Sequence, residues 1–304
     1  MAPSIRASTQ GFAALAGVAA NVFLGASSLF WKELGAISPL TLLAYRILVS
    51  LVTLTILMSV LGRFAGFRAK LTARTMAIHI CAAGLVVTNW GVFIWASIQG
   101  HVIESGLGYL VAPFVAIGIG AVVFQEAMTA LRWGALLTIV SSVLMLMRGS
   151  GELDHWIYLA IGASWGGYAC LKKITPLDPF AGLLAETSVL AFVLTIPLAT
   201  SSITLCIPHD VSRTAFVLLA FCGVVSVFPL WLFAYAAGRL PLSGMGFLQF
   251  VLPATQFIVA LTIYKQDAST NTIVCFGFIS AALLMIASEP IVRRYAWSAK
   301  HDIA

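Results

Sequence analysis

Arg46 and Glu186 each stand inside a long apolar run of this 304-residue chain, and their placement demands a chemical explanation. A charge held at mid-span in a bilayer costs at least about 2.5–3.5 kcal/mol on insertion scales, so one that persists faces a cavity or a partner. Arg46 comes seven residues after Pro39 and Glu186 seven after Pro179, which is one site occupied twice with opposite sign. At about 1.5 Å per residue, each charge lies about 10 Å inside its own membrane face. In a hydrocarbon core of about 30 Å this leaves roughly 10 Å between their depths, so a direct pair requires both side chains to reach toward the midplane. Arg46 could attract an anionic or zwitterionic group and Glu186 a cationic one. The same ruler puts Asn89, Trp90 and Tyr109 near the level of Arg46, and Tyr168 and Gln249 near that of Glu186. All seven are candidate substrate-binding or gating residues; a structural ion pair, or ordinary hydrogen bonding between helices, is the alternative role.

Three prolines inside apolar runs, Pro113, Pro229 and Pro253, are candidate hinges, because proline removes a backbone donor and kinks a helix. Trp133, Trp156 and Trp297 fall near run ends, as interfacial belt residues do, whereas Trp90, Trp95, Trp165 and Trp231 fall deeper, where they could stack on a substrate or simply pack. Catalytic signatures are missing: there is no His-Glu-x-x-His, no nucleophile beside a base and no phosphate-binding loop. Glu104 and Glu126 sit at run ends and are not spaced as a carboxylate dyad. His79 lies about four residues into its run and reads as a hydrogen-bonded structural residue. The five cysteines show no Cys-x-x-Cys and read as small packing residues. No catalytic residue, metal site or cofactor is therefore expected.

The elements that position these residues follow from composition. Apolar side chains make up 61% of the chain and charged ones 9%, with a mean hydropathy of +1.01, far from the roughly 25% charge of a soluble domain. This is the arithmetic of an all-α integral membrane protein. Ten segments are long enough to span: 12–31, 39–61, 75–98, 103–124, 130–147, 155–171, 179–200, 214–236, 242–264 and 271–289. The sixth is short and glycine-rich, and its Gly162 and Gly166 suit close helix contact. The first is too long for a cleavable signal and reads as a retained span. The net charge of +6 does not imply nucleic acid, because its sources are scattered. With the N-terminus inside, twelve basic residues fall in cytoplasmic segments and Lys32, Arg148, Arg213 and Lys265 fall outside, so both termini are expected in the cytoplasm.

An offset of 140 aligns the two halves of the chain. Lys32 meets Lys172, Pro39 meets Pro179, Phe93 meets Phe233, Trp95 meets Tyr235, Tyr109 meets Gln249, Pro113 meets Pro253 and Phe124 meets Tyr264. The chain reads as two five-helix repeats, 1–150 and 151–304, and because five is odd the second enters the membrane inverted. Inverted repeats are how many secondary transporters build two equivalent gates around a midplane site.

Trp31-Lys32, Ser38-Pro39, Tyr45-Arg46-Ile47, Asn89-Trp90 and the run from Glu104 to Tyr109 with Pro113 resemble the RarD-type branch of the EamA proteins, in the drug/metabolite transporter superfamily. Lys172-Lys173, Glu186-Thr187, Phe228-Pro229-Leu230, Pro241-Leu242-Ser243 and Gly246 through Gln249 to Pro253 extend the resemblance over nearly the whole chain. Tyr45 stands where the family is expected to have histidine, so no proton-linked role for that histidine carries over, and Lys265-Gln266-Asp267 replaces a more usual acidic residue. The resemblance implies a ten-helix inner-membrane permease that exports small metabolites or drugs by alternating access. Together with the polar residues and prolines above, it implies a cavity lined by spans 1, 3, 4 and 6, 8, 9. The other readings are a non-transporting receptor or assembly factor, which moves no substrate, and, more remotely, a membrane-embedded enzyme. The expected partners are a small-molecule substrate and membrane lipid.

Overall fold

A computed structural model describes residues 3–99, 101–148, 154–200, 205–208, 211–263, 265 and 270–301. Tyr264, Gln266 and Asp267, used above as landmarks, lie outside the described residues, as do the side chains of Arg6, Lys32, Ser105, Arg293, Arg294, Trp297 and Lys300. Among the described residues the regular secondary structure is entirely helical: α1 (Pro3–Glu33), α2 (Pro39–Val60), α3 (Phe64–Ala69), α4 (Ala73–Gln99), α5 (Val102–Val122), α6 (Ala130–Arg148), α7 (His155–Ile174), α8 (Pro179–Ala199), α9 (Arg213–Ala237), α10 (Leu242–Gln249), α11 (Val251–Thr262) and α12 (Thr270–His301).

The Ser-Pro and Asp-Pro pairs act as helix starts. Ser38 Oγ accepts the Thr41 amide and Asp178 Oδ1 accepts those of Phe180 and Ala181, each with proline as the first helical residue, where its missing N–H costs nothing. Ser212 caps α9 in the same way through the Ala215 amide.

Eight helical stretches are long and apolar enough to cross a membrane, on α1, α2, α4, α6, α8, α9, α10 with α11, and α12. Spans expected at 103–124 and 155–171 correspond to α5 and α7, of which only a shorter apolar stretch, Gly106–Val122, stands out. These two helices pack most extensively on each other. α5 is itself strongly apolar, whereas α7 carries polar and glycine residues and is packed against α4, α5 and α9, where it does not need the hydropathy that lipid contact demands. The contact between α5 and α7 is made by absent side chains: a Cβ on Gly108 would stand 2.5 Å from Ile161 Cβ, one on Gly162 2.8 Å from Val111 Cγ1 and one on Gly166 2.6 Å from Val115 Cβ. Around this pair, α1 packs on α9, α10 and α11; α2 on α8 and α9; α4 on α7 and α8; α5 also on α10; and α6 on α12.

Two differences from the expected spans have clear causes. The ninth span, 242–264, is interrupted at Phe250 and becomes α10 and α11. Pro253 supplies no N–H to the Gln249 carbonyl one turn earlier, so the helix breaks at the turn that proline disrupts. Trp95, expected deep, instead stacks on His101 at 5.5 Å, lies 5.1 Å from Trp156 and is 40% exposed near the end of α4.

Candidate functional site

The polar residues of the bundle interior form two clusters of unlike completeness. Glu186, on the second turn of α8, is buried and fully partnered. Its Oε1 accepts from Lys172 Nζ at 2.5 Å and from His79 Nδ1 at 2.8 Å, and its Oε2 accepts from the Tyr168 hydroxyl at 3.0 Å. Because a carboxylate offers no proton, Nδ1 carries the hydrogen, and His79 Nε2 lies 2.7 Å from the Thr175 hydroxyl. The imidazole reaches Glu186 over Gly182, whose absent Cβ would stand 2.9 Å from His79 Cε1. Three helices, α4, α7 and α8, are tied here by one carboxylate. Beside it a cavity of about 400 Å³ is lined by Lys70, Lys172, Lys173, Asp178 and Arg239, which defines a basic end of the bundle.

Arg46, at the equivalent point of the other half, has no such partner. Its guanidinium lies over the Trp90 ring at 3.6 Å and 5.1 Å from the Trp31 ring. Its Nε is buried without a hydrogen-bond partner, and no carboxylate pairs with it among the described residues. The neighbouring polar groups are already committed: Tyr109 donates to Asn89 Oδ1 at 3.0 Å, and Asn89 Nδ2 donates to the Ile161 carbonyl at 3.2 Å and to Ser164 Oγ at 3.4 Å.

Other buried polar atoms share the lack of a partner: Asn21 Oδ1, Ser50 Oγ, Trp165 Nε1 and both amide atoms of Gln249. Asn21, Ser50 and Trp165 sit near the middle of their helices, and Gln249 sits at the break between α10 and α11. Ser50 is one turn beyond Arg46 on α2. Asn21 lies halfway between Gly17, packed on Leu248, and Gly25, packed on the Leu252 carbonyl, so it is level with Gln249 and Phe250. An unmatched buried donor or acceptor costs about 1–3 kcal/mol, and several at one depth mark a layer that a ligand or water completes.

At the basic end, Glu126, between α5 and α6, closes the bundle. It accepts the Leu242 amide at 2.6 Å, the Ser243 amide at 2.8 Å and the Ser243 hydroxyl at 2.6 Å, clamping the start of α10. Partial burial pushes its carboxyl up, but these hydrogen bonds and nearby Lys173 outweigh that and hold it below the usual carboxylate range. A depressed pKa contributes stability that is complete above the unfolded value and is lost as pH falls through the folded one. Glu126→Ala is therefore expected to lower stability by about 1.5 kcal/mol at neutral pH, the low end for charged hydrogen bonds because the group is partly exposed. In a thermal unfolding series in detergent, the gap in Tm should hold down to about pH 5 and close at lower pH, since unfolded glutamate titrates near about 4.3.

No family model matches the chain. Protein RarD of Streptomyces exfoliatus is 31% identical over 281 residues, covering 91% of this chain and 88% of the relative. The chain belongs to the RarD family. Other RarD relatives include Protein RarD of Escherichia coli strain K12, 28% identical over 91% of this chain and 94% of its own length, and an uncharacterized transporter of Vibrio cholerae, 29% identical over 93% and 94%. A solved crystal structure of a protein 15% identical superposes with a TM-score of 0.67 over 90% of this chain and 95% of that one, which shows the fold alone.

In this RarD-family chain the fold brings Trp90 and Tyr109 with its partner Asn89 to the Arg46 side, and Tyr168 to Glu186. Gln249 is buried near mid-bundle without a hydrogen-bond partner, rather than bonded to Glu186. Arg46 and Glu186 do not form a salt bridge; Lys172 and His79 occupy that role. Pro113 and Pro229 lie inside α5 and α9, and the Pro113 carbonyl would meet a Cβ on Gly246 at 3.0 Å. Sequence reasoning passed over Lys172, His79 and Trp31 as site residues. The depth ruler held the signal for the first two, since Lys172 precedes Pro179 by seven residues and His79 follows Thr72 by seven. Although no metal site is expected from the sequence, His101, Glu104 and Asp154 bring potential metal-ligand atoms within 4.8 Å of one another near Trp95.

Proposed function

We propose that this chain is a secondary transporter that moves small metabolites across the bacterial inner membrane by alternating access, in the direction of export. Its architecture in this reading is ten spans in two inverted repeats, 1–150 and 151–304, with the basic end and both termini in the cytoplasm. Relatives named as transporters and the positive-inside count support the reading.

The observation that carries it is a pairing pattern. Let α1, α2, α4, α5 and α6 be one repeat and α7, α8, α9, α10 with α11, and α12 its mate. Exchanging the repeats turns the α1–α9 packing into α7–α4, α1 on α10 and α11 into α7 on α5, and α2–α9 into α8–α4, while α2–α8, α5–α10 and α6–α12 map onto themselves. The two ends nevertheless differ in state. Gly246 is pressed against Ile117 and the Pro113 carbonyl, whereas its repeat mate Gly106 has nothing within 4 Å of its Cβ position. We read this difference as a cytoplasmic end closed through α5, α10 and Glu126, one half of an alternating-access cycle. The reading needs no enzymatic step.

The test is counterflow in proteoliposomes loaded with a metabolite panel, with and without an imposed pH gradient. Saturable exchange of at least one compound, at least about tenfold above empty vesicles, is expected. Folded, reconstituted protein that exchanges none of the panel would instead point to a receptor or assembly factor.

A further inference from the structure

We infer that the substrate is an organic anion whose carboxylate docks on the edge of the Arg46 guanidinium, an inference that rests on the transport reading above. The geometry restricts what Arg46 can accept. Trp90 covers a face of the planar fork at 3.6 Å, with the Trp31 indole 5.1 Å away, so a further ligand approaches in the plane, where the N–H groups point. In-plane, paired donors match the two oxygens of a carboxylate. Among the described residues no carboxylate pairs with Arg46 and its buried Nε is unmatched, while Tyr109 and Asn89 are spent on each other and on α7.

The opposite charge is unavailable to a cation. Glu186 is saturated by Lys172, His79 and Tyr168, so among the described residues Arg46 is the interior charge left without a counter-charge, and it is positive. An inorganic ion alone would leave the rest of the layer unmet. The unpaired Ser50 hydroxyl sits one turn deeper on the same helix, and Asn21, Trp165 and Gln249 offer further donors and acceptors at mid-bundle. The ring pair Phe93 and Tyr109, 5.7 Å apart at the edge, adds an apolar wall next to Asn89. A carboxylate at Arg46 with an apolar or sparsely polar body reaching inward answers both features.

The indole beside Arg46 supplies the readout. Purified protein in detergent is titrated with lactate, hexanoate and phenylacetate, each against its primary amide and against chloride, while tryptophan fluorescence is followed. Saturable responses to one or more carboxylates, at least about tenfold weaker with the matched amide or chloride, are expected. Arg46→Gln should abolish them, and Arg46→Lys, which keeps the charge but loses the fork, should weaken them about tenfold. Both variants should unfold at or above the wild-type temperature, since Arg46 makes no ion pair to lose. No saturable response to any carboxylate, equal responses to amide or chloride, or wild-type affinity in either folded variant would overturn the inference. Flux of the same probes in proteoliposomes separates it from the transport reading. Arg46-dependent binding without flux supports the anion site and sinks the carrier, and amide flux equal to carboxylate flux does the reverse.

Discussion

Glu186→Ala is expected to destabilise the protein by about 3–5 kcal/mol, because it leaves Lys172 buried with no counter-charge. Lys172 is only 3% exposed, and its ammonium otherwise touches the carboxylate at 2.5 Å and lies 5.1 Å from the centroid of the Tyr168 ring. The same substitution frees His79 and the Tyr168 hydroxyl, two further buried donors. A double variant tests the cause. Glu186→Ala with Lys172→Met removes both charges and should recover the part of the loss that the unpaired buried ammonium causes, while His79 and the Tyr168 hydroxyl stay unmatched. Thermal or denaturant unfolding in detergent, in a cycle with the single variants, gives the coupling between the two sites. Additive losses, with the double variant worse than either single one, would show that the pair does not hold α7 to α8. Swapping the charges of Arg46 and Glu186 should rescue nothing, because the two do not touch.

A second large effect is expected at Gly166. An alanine Cβ there would lie 2.6 Å from Val115 Cβ and 2.7 Å from the Ala112 carbonyl oxygen. A side-chain tip can swing away, but a backbone oxygen moves only if α5 moves. Overpacking of this kind costs about 1–3 kcal/mol, and Gly166→Val should reach or exceed the upper figure. The displacement would also spread along the contact, since Gly108 and Gly162 hold the same two helices together. Gly84, on α4, is the control: nothing lies within 4 Å of its Cβ position, so Gly84→Ala should be neutral or gain up to about 1 kcal/mol from helix propensity. Unfolding temperatures of the three variants, measured side by side, decide the matter. Equal effects at Gly84 and Gly166 would remove the close-packing explanation.

The two clusters show how far the chain could be read before it was folded. Arg46 and Glu186 were visible because so few charges occur in this composition that two inside apolar runs stand out, and the prolines at their helix starts supplied a ruler for depth. The ruler worked because helical rise is nearly constant. It put Trp90 and Tyr109 with one charge and Tyr168 with the other, where the folded chain has them. Depth is only one coordinate. Which face of a helix turns toward which neighbour depends on how the helices pack, and no periodicity in the sequence records it. Thus Gln249, at a suitable depth, does not meet Glu186, while Lys172 and His79, which composition alone reads as a topology signal and a structural residue, surround it.

Hydropathy by itself did not report membership in the bundle. It was highest on α9 and α2, while α7, whose contact with α5 is the most extensive among the described residues, did not stand out. The glycine spacing of Gly162 and Gly166 carried the corrective signal, because an absent side chain is what lets two backbones approach. By itself, then, the sequence determined the membrane environment, the helical class, the helix starts and the scarcity of interior charge, all of which follow from local transfer and hydrogen-bond energetics. Tertiary structure alone decided that Glu186 is neutralised by its neighbours and Arg46 is left open, because the pairing of charges depends on distances between helices that the chain sets only when it packs.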